Sequence, residues 1–322
     1  MINILVSGAS GIVGYGILRS LKKSGLGLRL IGTTIYNDSV AQGFCDVFEQ
    51  APLTNDSGYI KWLIKIIKKH TVDLIIPGID DDMYKWVDYV TEIEKNGTKV
   101  LINNPELISL CKDKWVFYQA LRKENVAYAI NSSINSDFNF LANKYGLPFI
   151  LKPRRGFGSK GIVRVKTFED FHMHRENMDS ILIAQPIIGN EDEEYTTSAF
   201  CDGKGDFFAS MTLKRKLSKD GFTEKAEVDN LDEIQDALSN LCTLFKPIGP
   251  TNFQFRMHKG TLKLLEINPR VSSSTSIRTS FGYNECQMAV EYFLEKKSIE
   301  QPEIKKGKAI RYVEDLIIYD KS

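Results

Sequence analysis

Glu266, Asn268 and Arg270 follow one another at alternate positions as the apolar run Leu262-Lys263-Leu264-Leu265 ends. A strand sends alternate side chains to one face, so Glu266 and Asn268 face the same way. Two oxygen donors with an arginine just beyond suit a hard cation bound to a polyphosphate. Standing alone, the segment reads better as a solvated strand end. The preceding stretch, Asn252-Phe253-Gln254-Phe255-Arg256, alternates polar and aromatic residues, which puts Asn252, Gln254 and Arg256 on one face. A turn at His258-Lys259-Gly260 would pair the two strands and bring Gln254 close, directly or diagonally, to Leu264 and Glu266. Gln254, Glu266 and Asn268 could then converge on one cation.

Phosphate chemistry has its own candidates upstream. Phe149-Ile150-Leu151-Lys152 and Ile162-Val163-Arg164-Val165 read as strands flanking a loop with Gly156, Gly158, Ser159 and Gly161. Such glycines let backbone N–H groups approach phosphate oxygens, and Lys152 enters from the first strand. The Gly-Lys-Ser/Thr ending of a P-loop is missing. Ile181 to Ile188 is an apolar strand broken by Gln185 and Pro186, and extended backbone of this kind can read a flat base through its main-chain groups. Glu194 heads the next strand. Leu213-Lys214-Arg215-Lys216 is a cationic cluster or a solvated basic turn. The four histidines form no pattern.

The elements that must carry these residues follow from the chain's periodicity. With 322 residues the chain can hold two or three domains or subdomains. Lys+Arg is 42 against 41 Asp+Glu, which gives no polyanion-binding signature and no reason to expect nucleic acid. Five scattered cysteines without a C-x-x-C pair argue against a zinc site or a disulfide scaffold and fit a reducing cytoplasm. No apolar stretch approaches the roughly 20 residues that span a bilayer. Ile4-Leu5-Val6, then glycines 8, 11 and 14, then an apolar helix, form a strand–turn–helix unit of the dinucleotide-binding kind. The α/β alternation continues through a helix from Tyr59, a strand at 73–77, a helix over 83–93 and a strand at 99–103, implying a parallel sheet covered on both faces. A nicotinamide-dependent oxidoreductase is the alternative this opening raises. The second strand, however, ends in Thr33-Thr34 with no acid for a ribose, and no Tyr-x-x-x-Lys pair follows, so the glycine turn is read as idle. Asp80-Asp81-Asp82 either faces a substrate beyond a strand's carboxyl end or complements a helix dipole.

Taken in order, these motifs resemble the ATP-grasp superfamily, most of all its carbamoyl-phosphate-synthase-type branch and stand-alone relatives. The resemblance covers essentially the whole chain and implies an α/β plus α+β architecture. A Rossmann-like domain over 1–105 would precede an ATP-grasp domain over 106–322, with a small lid subdomain at about 115–183. It implies that Lys114 and Lys152 are nucleotide lysines and that Gly156 to Gly161 form a mobile loop over the phosphates. Gln185, with the backbone of Pro186 and Ile188, would read adenine; Glu194 would bind ribose, and Lys214 would join the nucleotide contacts. Gln254, Glu266 and Asn268 would be magnesium ligands, for one or two ions, with manganese as an alternative. Arg270, with Lys152, would stabilise charge on the transferred phosphoryl group. Two departures stand out: Gln185-Pro186 replaces the acid common at the hinge, and Gln254 replaces the Glu or Asp of many relatives.

The reaction implied is an ADP-forming carboxylate–amine ligation through an acyl phosphate, with small-molecule substrates, no membrane and room for a homodimer. A non-catalytic ATP-binding subunit is a further alternative. The serine-rich tail Ser272 to Ser276 suits an anionic acceptor, and Arg278 and Arg311 are candidates for a substrate carboxylate or for structural ion pairs.

Overall fold

The computed structural model describes residues 1–156 and 161–318. Five parallel strands form the first sheet: β1 (Asn3–Val6), β2 (Arg29–Thr34), β3 (Val47–Gln50), β4 (Leu74–Ile76) and β5 (Lys99–Val100), in the order β3-β2-β1-β4-β5. Its central strands β1 and β4 are buried apolar runs, with helices covering both faces. The chain order reverses between β1's two neighbours, β2 and β4, and the crevice beyond their carboxyl ends is where such sheets bind ligands. β3 carries no sequence signature: Val-Phe-Glu-Gln is half polar, as suits an edge strand. The helix expected over 83–93 is instead two short helices, Asp80–Trp86 and Val90–Glu94, split by one 3₁₀ turn where Tyr89 leaves the helical region.

A three-stranded antiparallel sheet follows, β6 (Phe149–Pro153), β7 (Val163–Val165) and β8 (Leu182–Pro186), in the order β7-β6-β8. It has its own core, including Leu141, Phe149, Phe171 and Leu182. This sheet runs to Pro186, past the boundary expected near 183. The helix Lys114–Lys123 packs Phe117 and Leu121 into a different core, under the large sheet.

That large sheet is antiparallel and six-stranded: β9 (Glu194–Asp202), β10 (Phe207–Leu217), β11 (Thr223–Asp229), β12 (Ile248–His258), β13 (Thr261–Asn268) and β14 (Lys308–Ile310), ordered β13-β12-β9-β10-β11-β14. One face packs on the helix Asp232–Phe245 through Tyr195, Ala199, Phe253, Phe255 and Leu264. Along the other, Phe200, Met211 and Leu213 join the core that holds the first helix, Ile12–Lys22, and the helix Glu285–Phe293. Beyond that core the same face turns polar and lines a cleft. Among the described residues no helix is long and apolar enough to cross a membrane.

Candidate active site

The β12–β13 hairpin turns through Lys259 and Gly260, both at positive φ. Its register opposes Gln254 to Glu266 and Asn252 to Asn268, then slips, so that Phe255 opposes Leu264. Leu265 is the extra residue of a β-bulge. The bulge resolves a conflict of phase: Leu262 and Leu264 belong to the buried face, yet Glu266, of the same parity, must reach the cleft. One inserted residue shifts the alternation and leaves Leu265 lining the cleft beside Glu266. Of the two neighbours expected for Gln254, the register gives Glu266 directly, while the bulge turns Leu264 to the other face.

Both neighbouring amides donate to Glu266: Gln254 Nε2 lies 2.7 Å and Asn268 Nδ2 3.1 Å from the same oxygen, Oε1. Among the described residues, no hydrogen bond reaches Glu266 Oε2 or the Asn268 amide oxygen. A carboxylate oxygen and an amide oxygen left in this state fit a hard cation. Gln254 differs. Its oxygen accepts from Arg215 Nη2 at 2.7 Å.

Arg215 is the residue that sequence reasoning missed. β10 alternates, so Arg215 faces the cleft with Leu213 and Leu217, while Lys214 turns to the opposite face and lines neither cavity described below. The expected role of Lys214 in the site is corrected accordingly. Leu213 and Leu217 flank Arg215 at period two, and that pattern was the available signal. Arg215 donates to Glu194 Oε1 from Nε at 3.0 Å and Nη2 at 2.8 Å. Arg256 pairs with the other oxygen, Oε2, and also donates to the Ile188 carbonyl at 3.1 Å. Glu194 stands in the cleft wall, 3% exposed, with Oε1 held by Arg215 and Oε2 by Arg256. Gln185 is buried, and its Nε2 donates to Ser132 Oγ at 2.7 Å, so its side chain braces the strand and leaves base contacts to the backbone.

Lys114 opens its helix behind Asp113, whose carboxylate caps Trp115 and Val116 and pairs with Arg154. Lys114 Nζ donates to the Gly156 carbonyl at 2.7 Å, tying the first lysine to the glycine loop. Gly158 and Ser159 lie outside the described residues; Gly156 and Gly161 flank them at positive φ. Lys152, on β6, faces the same cleft. Burial pushes its ammonium down to about 8, Lys114 and Arg256 push the same way, and Glu266 only partly opposes them. Burial also lowers the Lys114 ammonium. Two lysines destabilised as cations and facing one carboxylate make a site awaiting negative charge.

Arg270 reaches across to the first domain. Its Nε and Nη2 meet Asp80 Oδ1 and Oδ2 at 2.8 and 3.0 Å, a bidentate pair between residues 190 positions apart. The three aspartates therefore divide: Asp80 clamps Arg270, Asp82 is buried and accepts from Thr54 at 2.6 Å, and Asp81 is exposed at the cavity. Burial raises the Asp82 carboxyl. Arg278 is fully buried, donating to Ser272, Thr196 and Asn252, and Arg311 donates to the Ser273 carbonyl. Arg278, with no exposed surface, thus braces the serine-rich turn as a structural group.

Two cavities meet at these residues. The smaller, about 320 Å³, is lined by Ile130, Ile150, Pro186, Ile188, Leu265 and the cleft's charged groups. The larger, about 910 Å³, runs from Lys152, Glu266 and Asn268 to the carboxyl ends of β1, β2 and β4, where Ser10, Thr34, Tyr36, Leu53 and Asp81 line it.

Residues 182–316 match the family described as ATP-grasp in the biosynthetic pathway with Ter operon, and residues 5–101 match the PylC-like N-terminal domain. The large chain of carbamoyl phosphate synthase from Thermoanaerobacter pseudethanolicus is 26% identical over 230 residues, 63% of this chain and 20% of that protein. The same protein from Methanosarcina barkeri is 24% identical over 295 residues, covering 82% of this chain and 26% of that one. The chain thus spans about a fifth to a quarter of the length of these curated relatives. Among solved structures, N5-carboxyaminoimidazole synthetase from Staphylococcus aureus in complex with ADP superposes with TM-score 0.71 at 16% identity, over 94% of this chain and 80% of that one. Biotin carboxylase from Campylobacter jejuni gives TM-score 0.71 at 17% identity, over 94% and 73%. At these identities the likeness speaks to the fold.

Proposed function

We propose that this chain, an ATP-grasp protein with a PylC-like N-terminal domain, is an ATP- and magnesium-dependent ligase that joins a carboxylate to an amine or ammonia and releases ADP. The observation that carries this reading is the convergence of Lys114, Lys152, Glu266, Asn268 and Arg270 on one cleft that opens into the 910 Å³ cavity. A carboxylate oxygen of the substrate would attack the γ-phosphorus, ADP would leave, and the amine would then displace phosphate from the acyl phosphate carbon. Phosphoryl transfer of this kind needs positioning and charge neutralisation, with no covalent protein step. Lys152 and Lys114 would meet phosphate oxygens, and Arg270, held by Asp80, would face the transferred group. Glu266 and Asn268 would hold the magnesium ion, or manganese in its place, which would neutralise phosphate charge. The apolar lining of the smaller cavity would take the base, and the Gly156–Gly161 loop would exclude water. The larger cavity, at the carboxyl ends of the parallel strands, would take the carboxylate and amine.

A screen of carboxylate–amine pairs with Mg-ATP tests the reading. Sustained ADP release should require both partners, with at most one turnover from the carboxylate alone. ATP binding without ADP release for any pair would favour a non-catalytic subunit, and a melting shift with NAD(P)H but none with Mg-ATP would favour the glycine turn.

The state of Lys152 gives a pH dependence. Phosphate favours its charged form, so the ammonium that titrates near 8 in the free protein should be raised in the ATP complex. ATP affinity is then fully present below that value and falls as pH climbs through it, by up to about tenfold per pH unit until the complex itself titrates. Isothermal titration across about pH 7 to 9.5 should show the decline, and Lys152→Arg should flatten it, because guanidinium stays charged throughout. A flat profile for the unaltered protein would remove Lys152 from the phosphate site.

A further inference from the structure

We infer that Gln254 is not a metal ligand but a positioning residue, turned by Arg215 so that its amide nitrogen, and not its oxygen, faces Glu266. The inference rests on the cleft being a Mg-ATP site. Glutamine could serve as a neutral ligand only through its carbonyl oxygen. Here that oxygen lies 2.7 Å from Arg215 Nη2, and the amide nitrogen lies 2.7 Å from Glu266 Oε1.

The orientation follows from the chemistry of both neighbours. Guanidinium has five donors and no acceptor, so only the amide oxygen can meet it. An ionised carboxylate has acceptors and no donor, so only the NH₂ group can meet Glu266. Turning the amide over would set NH₂ against guanidinium and oxygen against carboxylate, replacing two charge-assisted bonds by two repulsions. Nor can Arg215 move aside: it is 4% exposed and paired with Glu194, which is 3% exposed, through two of its nitrogens. β9, β10, β12 and β13 thus carry a relay from Glu194 through Arg215 and Gln254 to Glu266. The relay loads Oε1 with two amide donors, from Gln254 and Asn268, and leaves Oε2 for the cation.

A crystal structure of the full chain with Mn²⁺ and ADP is the direct test, with the ion located by anomalous scattering. The expected result is Mn²⁺ on Glu266 and Asn268, with the Gln254 nitrogen still within hydrogen-bond distance of Glu266. Gln254 oxygen in the coordination sphere would overturn the inference. In solution, Gln254→Met should leave the number of Mn²⁺-bound waters in the ADP complex unchanged, read from EPR line broadening in ¹⁷O-water. A gain of one water would mean that a ligand had been lost, which also overturns it. Failure of the ligase reading would show differently, as absence of ADP formation with the Gln254 orientation intact.

Discussion

Glu266→Gln is expected to lower kcat for ADP formation by roughly 1000-fold or more while the melting temperature stays close to that of the unaltered protein. The substitution is nearly isosteric, and its polarity is dictated by its neighbours. Gln254 Nε2 and Asn268 Nδ2 both donate to Oε1, so the new amide must place its oxygen there. Its NH₂ group then occupies the Oε2 position, where the cation would sit. The hairpin keeps its hydrogen bonds and the cation loses its only charged ligand in the Gln254–Glu266–Asn268 set. Steady-state ADP release, with thermal melting as the control for folding, reads both halves. Activity within tenfold of the unaltered protein would show that Glu266 serves no metal.

Arg270→Ala is expected to damage stability and activity together. The guanidinium and the Asp80 carboxylate are 12% and 11% exposed, and their two hydrogen bonds span the first domain and the end of the β12–β13 hairpin. Removing the arginine leaves a largely buried carboxylate without its partner, a cost of about 3 kcal/mol for pairs of this kind. The double variant Asp80→Ala/Arg270→Ala should recover much of that loss, because neither charge is then stranded, yet remain as inactive as Arg270→Ala alone. Denaturant unfolding and ADP release on the four members of the cycle separate the two contributions. Additive destabilisation would mean that the pair does not couple. Recovery of activity in the double variant would mean that Arg270 acts only as a clamp.

The parallel sheet was legible because its buried strands are continuous apolar runs, and the β12–β13 hairpin because Asn252 to Arg256 alternate strictly. Glu266 and Asn268 stood out for the same reason of period. The bulge did not: Leu264-Leu265 looks like any apolar pair, and only the need to bury Leu264 while exposing Glu266 reveals the inserted residue. Lys214, Arg215 and Lys216 are three adjacent cations; the leucines two positions to either side mark the face of Arg215, but its partner Glu194 follows only from the register. Glu194 looked like a free carboxylate because its partners, Arg215 and Arg256, lie on other strands. The Asp80–Arg270 pair joins residues 190 positions apart, and no local pattern encodes it. Residues that act through backbone period were thus readable, whereas those whose role depends on a partner across the fold were not.

The most direct measurement follows an oxygen atom. With a substrate carboxylate labelled with ¹⁸O, activation by ATP places one carboxylate oxygen on the γ-phosphorus, and displacement by the amine carries it into inorganic phosphate. One ¹⁸O per phosphate released, seen by ³¹P NMR or mass spectrometry, is the expected result. Phosphate formed without label, while the amide product accumulates, would contradict carboxylate activation at this site.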